Sequence, residues 1–179
     1  LANVLTFEPN EEPQLVWMSG EVKVSAIRST HIAGHASYRV DTPAWIVVIG
    51  GDASNDKPAP PRSHSTSDQV ERLAQGADVI VHSTIHPVLG PDRGSGFPAP
   101  TFYRQSLATD LGAMAKRTGA KYLMLTHLAP SLGTGRHNRW DVPGGPLTEA
   151  DYRKAVEESG FTGKTIVRTD LTALRLPAP

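Results

Sequence analysis

The chain has 179 residues, enough for one domain with a real core. Eighteen Lys and Arg balance eighteen Asp and Glu, so no net charge advertises a polyanionic partner. The absence of cysteine excludes disulfides and thiolate metal sites and leaves the redox compartment, and with it the localisation, open.

The opening LANVLTFEPNEEPQ lacks the basic stretch of a signal peptide and an initiating methionine, and reads as an internal piece of something cut or processed upstream. No apolar run approaches the roughly 20 residues that span a bilayer, so no membrane partner is expected. Residues 8–20 are acidic and proline-bearing and read as a loop. In 21–30 the alternation of Val22, Val24 and Ala26 predicts a half-buried strand. ASYRVD and WIVVIGGD, separated by TPA, predict a hairpin. Residues 53–67 form a surface loop rich in proline and serine.

The period then changes. Asp68 with Glu71 predicts a capping box, Val70, Leu73 and Ala74 an apolar stripe, and Gly76 a stop. A strand follows over 77–83, a long loop over 84–100, and a helix over 101–118 that stops at Gly119. The next strand, 120–127, ends on His127, and 128–146 is a second long loop. Thr148 with Asp151 opens a last helix that stops at Gly160, before a strand over 164–171. Three strands followed by three helix–strand units predict an α/β architecture with helix-covered strands.

Four strands are expected to end on polar residues: Asp52, His82, His127 and Asp170. Open α/β sheets bind ligands beyond the carboxyl ends of their strands. Carboxylate and imidazole groups there, without thiolate, suit a divalent ion with nitrogen and oxygen ligands. A single histidine at a strand end is equally well a satisfied rim residue. The repetition over successive strands is what favours a metal.

The segments VSAIRSTHIAGHASYRV, WIVVIGGDAS, GADVIVHS, GAKYLMLTHLAP and IVRTDL occur in this order over residues 21–171. Together they resemble the C-terminal half of the four-layer αββα metallo-β-lactamase sandwich. The likeness is to the branch that holds ribonuclease Z and the zinc arylsulfatases and phosphodiesterases. The resemblance implies two divalent ions, expected as zinc, with His31 a ligand to one, His127 a ligand to the other and Asp52 bridging them. His35, four residues after His31, stays a rival ligand. His82 matches a position that orients a ligand or loop. His137 and Trp140, in the loop after His127, are the candidates for substrate contact.

Two departures qualify the resemblance. The His-x-His-x-Asp-His signature of the N-terminal half is not in the sequence, so residues 1–179 are expected to be the C-terminal half of one domain, partnered by the N-terminal half as a cleaved or separate polypeptide. Gln105 stands where ribonuclease Z carries a catalytic histidine, and a neutral amide is no general acid near pH 7. The expected activity is therefore metal-dependent hydrolysis of a small ester, lactone, sulfate ester or phosphodiester. A nuclease acting on transfer-RNA precursors and a non-catalytic subunit of the same fold are the alternatives.

Overall fold

The alternation at Val22, Val24 and Ala26 does build a strand, and the strand acquires a neighbour that the sequence hides. A computed structural model describes residues 4–167 and 170–177. In it the acidic opening is no loop throughout: Gln14–Ser19 forms β1, antiparallel to β2 (Val22–Arg28). The hairpin of β3 (Ala36–Asp41) and β4 (Ile46–Gly51) follows, closed by the Thr42 hydroxyl, which accepts from the Trp45 amide at 2.9 Å. The parallel strands are β5 (Val79–Ile85), β6 (Tyr122–Ala129) and β9 (Lys164–Val167), and the seven-stranded order is β1-β2-β3-β4-β5-β6-β9. A separate two-stranded ribbon, β7 (Arg136–His137) with β8 (Trp140–Asp141), structures the loop after β6.

Helices α1 (Asp68–Leu73), α3 (Ala108–Thr118) and α4 (Glu149–Glu157) are the crossovers between the parallel strands. Crossovers of one hand place helices on one face of the sheet. Their apolar residues close the core there: Val70, Leu111, Met114 and Tyr152 pack with Ile27, Val48, Ile80 and Leu123, all fully buried. Each large apolar side chain so buried contributes on the order of 1.5–3 kcal/mol.

The cap of α1 falls on Ser67, not Asp68; the serine is extended and accepts from the Val70 amide. Thr148 and Asp151 form the expected reciprocal capping box of α4. The helix expected over 101–118 is two, α2 (Ala99–Tyr103) and α3, because residues between them pair elsewhere: the Ser106 carbonyl accepts from the Ile85 amide at 3.0 Å. The last strand is described over Lys164–Val167 and Asp170 lies in an exposed turn; residues 168–169 of the expected strand lie outside the described residues.

The other face of the sheet carries an apolar row that no helix covers. Ladder register aligns Trp17, Val24, Val40, Val47 and Val79 on this face, with Tyr38, Ile49, Val81 and Met124 in the neighbouring row. Phe7 meets the Tyr38 ring edge-on at 6.2 Å, yet Trp17 stays 44% and Ile49 41% exposed.

Candidate metal centre

Asp52 follows β4 directly, and the two glycines before it are explained by their neighbours. A Cβ on Gly50 would lie 2.1 Å from His82 Cδ2, so only glycine leaves room for that ring. Gly51 has φ +62 and a Cβ there would stand 3.0 Å from His35 Nε2. Gly-Gly-Asp thus turns the chain at the sheet rim and lets two imidazoles approach the backbone beneath the carboxylate.

Each oxygen of Asp52 faces a different histidine. His127 Nδ1 donates to Oδ1 at 3.1 Å, while His31 Nε2 stands 3.9 Å from Oδ2, too long for a hydrogen bond. Burial raises the Asp52 pKa, but the hydrogen bond and charge of His127, the Ser83 hydroxyl and the charge of His31 outweigh it and hold the group below its ordinary value. The carboxylate is therefore anionic at neutral pH.

His127 does not terminate its strand, as the sequence suggested. β6 continues to Ala129, and His127 sits at a register shift with φ +42. A non-glycine residue in the left-handed region is uncommon, and a bulge re-aims a side chain. Here it projects His127 into the open, 70% exposed, against the Asp52 carboxylate.

The rival ligand His35 is tied down instead. Its Nδ1 lies 2.9 Å from Ser29 Oγ, which meets Ser37 Oγ at 2.7 Å, and Ser37 donates to the Gly50 carbonyl at 2.8 Å. Burial, then the nearby charge of His31, lower the His35 pKa against the pull of Asp52. His82 is 1% exposed and donates its Nδ1 proton to the Ser83 carbonyl at 2.7 Å. Burial carries its pKa down to about 4, so the ring is neutral and Nε2 bears a lone pair.

Among the described residues the buried side-chain polar atoms without a hydrogen-bond partner are His31 Nδ1, His82 Nε2 and Ser83 Oγ. All three belong to residues that interact electrostatically with Asp52. Buried polar groups are rarely left unpaired away from functional sites. Ser29, Ser37 and Ser83 were not singled out from sequence; their place one or two residues from a candidate histidine was the available signal.

These residues fit a share of a metal centre and not a whole one. One carboxylate and two imidazoles suit a borderline divalent ion. Among the described residues, however, no group of three His, Cys, Asp or Glu converges as a metal site. His137 and Trp140 lie on the β7–β8 ribbon, which packs on Phe97: Trp140 meets that ring at 5.0 Å and His137 at 5.4 Å. Burial, then the charge of His127, lower the His137 pKa, which puts this ring in electrostatic range of the rim. Trp140 is backed by Phe97 and covered by Arg139, 4.8 Å above its ring. Arg136, on the same ribbon, is held by Asp141 at 3.0 Å.

The segment between α2 and α3 closes the rim. Arg104 Nη2 donates to the His31 carbonyl at 3.2 Å, and the fully buried Ser106 donates to the Ala53 carbonyl at 2.8 Å. Gln105 lies between these two anchors. No helix among the described residues is long and apolar enough to cross a membrane.

No protein-family model matches the sequence. The ribonuclease Z proteins of Mycobacterium tuberculosis and Mycobacterium bovis are each 24% identical to it over 134 residues, which is 75% of this chain and 40% and 39% of theirs. The chain thus spans about two fifths of the length of these curated relatives. Among solved structures, the metallo-β-lactamase fold protein YhfI of Bacillus subtilis superposes with a TM-score of 0.53 at 18% identity, over 90% of this chain and 51% of that one. The mixed sheet with its helices on one face matches that likeness, and the chain has the metallo-β-lactamase fold over about half of such a domain.

Proposed function

We propose that this chain supplies His31, Asp52 and His127 to a two-metal hydrolytic centre, completed by an N-terminal half of the same fold laid on the bare sheet face. The observation that carries the reading is the carboxylate of Asp52, with each oxygen turned to a different histidine. A carboxylate so flanked serves two cations at once. Divalent ions, zinc by the chemistry of the donors, supply Lewis acidity and a water of lowered pKa when bound.

The chain's own residues prepare that site. Asp52 is ionised before a cation arrives. The Ser29–Ser37 relay and the Gly-Gly turn hold the backbone under it. His82, neutral and sealed, packs beneath the turn. The apolar row through Trp17, Val24, Val40 and Val47, with Trp17 and Ile49 left exposed, favours a second sheet as its cover. The further ligands and the proton-transfer group belong, in this reading, to that partner.

The substrate is a small ester, lactone, sulfate ester or phosphodiester. Gln105 stands between the two anchors of the rim, and its neutral amide is no general acid near pH 7. A second reading, a nuclease on transfer-RNA precursors, is favoured by the likeness to proteins named ribonuclease Z. The charge balance speaks against it, since gripping RNA takes several cations aimed at phosphates. Assaying the assembled protein on precursor transfer RNA and on chromogenic esters, lactones, sulfates and phosphodiesters separates them. Turnover of a small substrate is expected; salt-sensitive cleavage of RNA alone reverses the choice, and turnover of nothing by the metal-loaded assembly leaves the non-catalytic subunit.

A further inference from the structure

The groove on the His31 side of the rim has a volume of 690 Å³ and carries four charged residues besides the histidine: Arg28, Arg104, Glu11 and Asp56. Three of them are engaged. Arg28 is ion-paired with Glu11, and Asp56 takes hydrogen bonds on both carboxylate oxygens, from Thr30 and from Gln69. Arg104 differs. Among the described residues its side chain makes no ion pair, and the guanidinium's one hydrogen bond is to the His31 backbone carbonyl at 3.2 Å. A guanidinium has five N–H donors, so four remain to be used.

Its position is fixed from both sides. The following residues are pinned through Ser106, which donates to the Ala53 carbonyl next to Asp52 and accepts at its own carbonyl from the Ile85 amide. The guanidinium itself grips the backbone of His31. Arg104 is therefore an exposed cation without an ion-pair partner among the described residues, held against the His31 backbone and lining the groove.

We propose that Arg104 binds an anionic oxygen of the substrate, a phosphate, sulfate or carboxylate group seated in the groove beside His31, and so selects anionic over neutral substrates. The proposal rests on the hydrolytic reading of the site and narrows its substrate class. Arg28 does not share the role, because Glu11 neutralises it.

The test uses the metal-loaded assembly with Arg104→Gln and Arg104→Lys. The readouts are the dissociation constant of inorganic phosphate, followed by phosphorus NMR or protection against thermal unfolding, and the metal content of each variant. Charge-assisted hydrogen bonds of this kind support a loss of roughly 10- to 100-fold in phosphate affinity for Arg104→Gln, with partial recovery in Arg104→Lys and unchanged metal content. Where turnover is measured, KM for an anionic substrate rises while that for a neutral one stays put. Ranking phosphate, sulfate and acetate as competitors then identifies which oxyanion the groove prefers. Phosphate affinity within twofold of wild type in Arg104→Gln overturns the proposal, as does a wild type that binds no phosphate. Loss of metal in Arg104→Gln also overturns it, because the residue then only braces His31. Arginine-dependent phosphate binding by a protein that hydrolyses nothing keeps the anion site and removes the hydrolytic reading.

Discussion

Replacing Gly50 with alanine tests the packing beneath the proposed metal ligand. The added methyl would stand 2.1 Å from His82 Cδ2 and 2.6 Å from His82 Nε2. Carbon contacts settle near 3.5–4.0 Å, so ring and backbone must separate by about 1.4 Å or more. The ring has nowhere easy to go: it is 1% exposed and its Nδ1 is bonded to the Ser83 carbonyl at 2.7 Å. Overpacking of this kind costs about 1–3 kcal/mol, and the pinned ring argues for the upper half of that range. For a chain of this size each kcal/mol lowers the melting temperature by roughly 2–4 °C, which predicts a drop of about 4–12 °C. Urea or thermal unfolding of Gly50→Ala, His82→Ala and the double variant measures it. Once the ring is gone the methyl fits, so adding Gly50→Ala to His82→Ala is expected to cost under about 0.5 kcal/mol more. A small cost in the single variant, or full additivity in the double, refutes the clash.

Three further expectations follow from charge and surface. Burial holds His82 down to about 4 in the folded chain, from 6.5. The unfolded chain therefore takes up the proton first, and stability falls as the pH drops from about 6.5 towards 4, by on the order of 3 kcal/mol; urea midpoints across that window with His82→Gln should lose this part of the slope, and an unaltered slope contradicts it. Arg117 grips the Glu71 carboxylate through two hydrogen bonds at 2.8 and 2.7 Å and, outweighing the effect of burial, holds its pKa below the ordinary value. That contribution is complete above the unfolded pKa and is lost as the pH falls through the folded one. Discounted for the half-exposed arginine, Glu71→Gln should cost about 0.5–1 kcal/mol at pH 7 and nothing in strong acid; an equal cost at both pH values contradicts the pairing. The uncovered sheet face predicts that residues 1–179 alone self-associate or stay inactive; light scattering that shows a stable monomer with full metal content and hydrolytic activity overturns the need for a partner.

Local signals carried much of this fold. The alternation in β2, the β3–β4 turn chemistry and the Thr148–Asp151 box are decided within a few residues, and each formed where the residues indicate. The failures are tertiary. β1 has no alternation to betray it, with a bulge between Leu15 and Trp17, and exists because β2 offers it a ladder. The helix expected over 101–118 breaks because Ser106 finds better partners at Ile85 and Ala53 than along its own helix. Asp52 and His127 were visible as polar residues following apolar runs, and His31 only through the family resemblance. Their relation was not, since the Asp52–His127 contact joins strands separated by β5 and depends on a left-handed backbone at His127 that no local residue demands. The reason for Gly50 was equally hidden, because its neighbour is His82, on the adjacent strand.

The central claim is that Asp52 joins two metal ions, and metal content tests it most directly. Elemental analysis of the assembled protein, wild type against Asp52→Ala, reads the number of ions per assembly. The account predicts two divalent ions in the wild type and the loss of at least one in the variant, with nearly all hydrolytic activity gone. Two tightly held ions in Asp52→Ala contradict it.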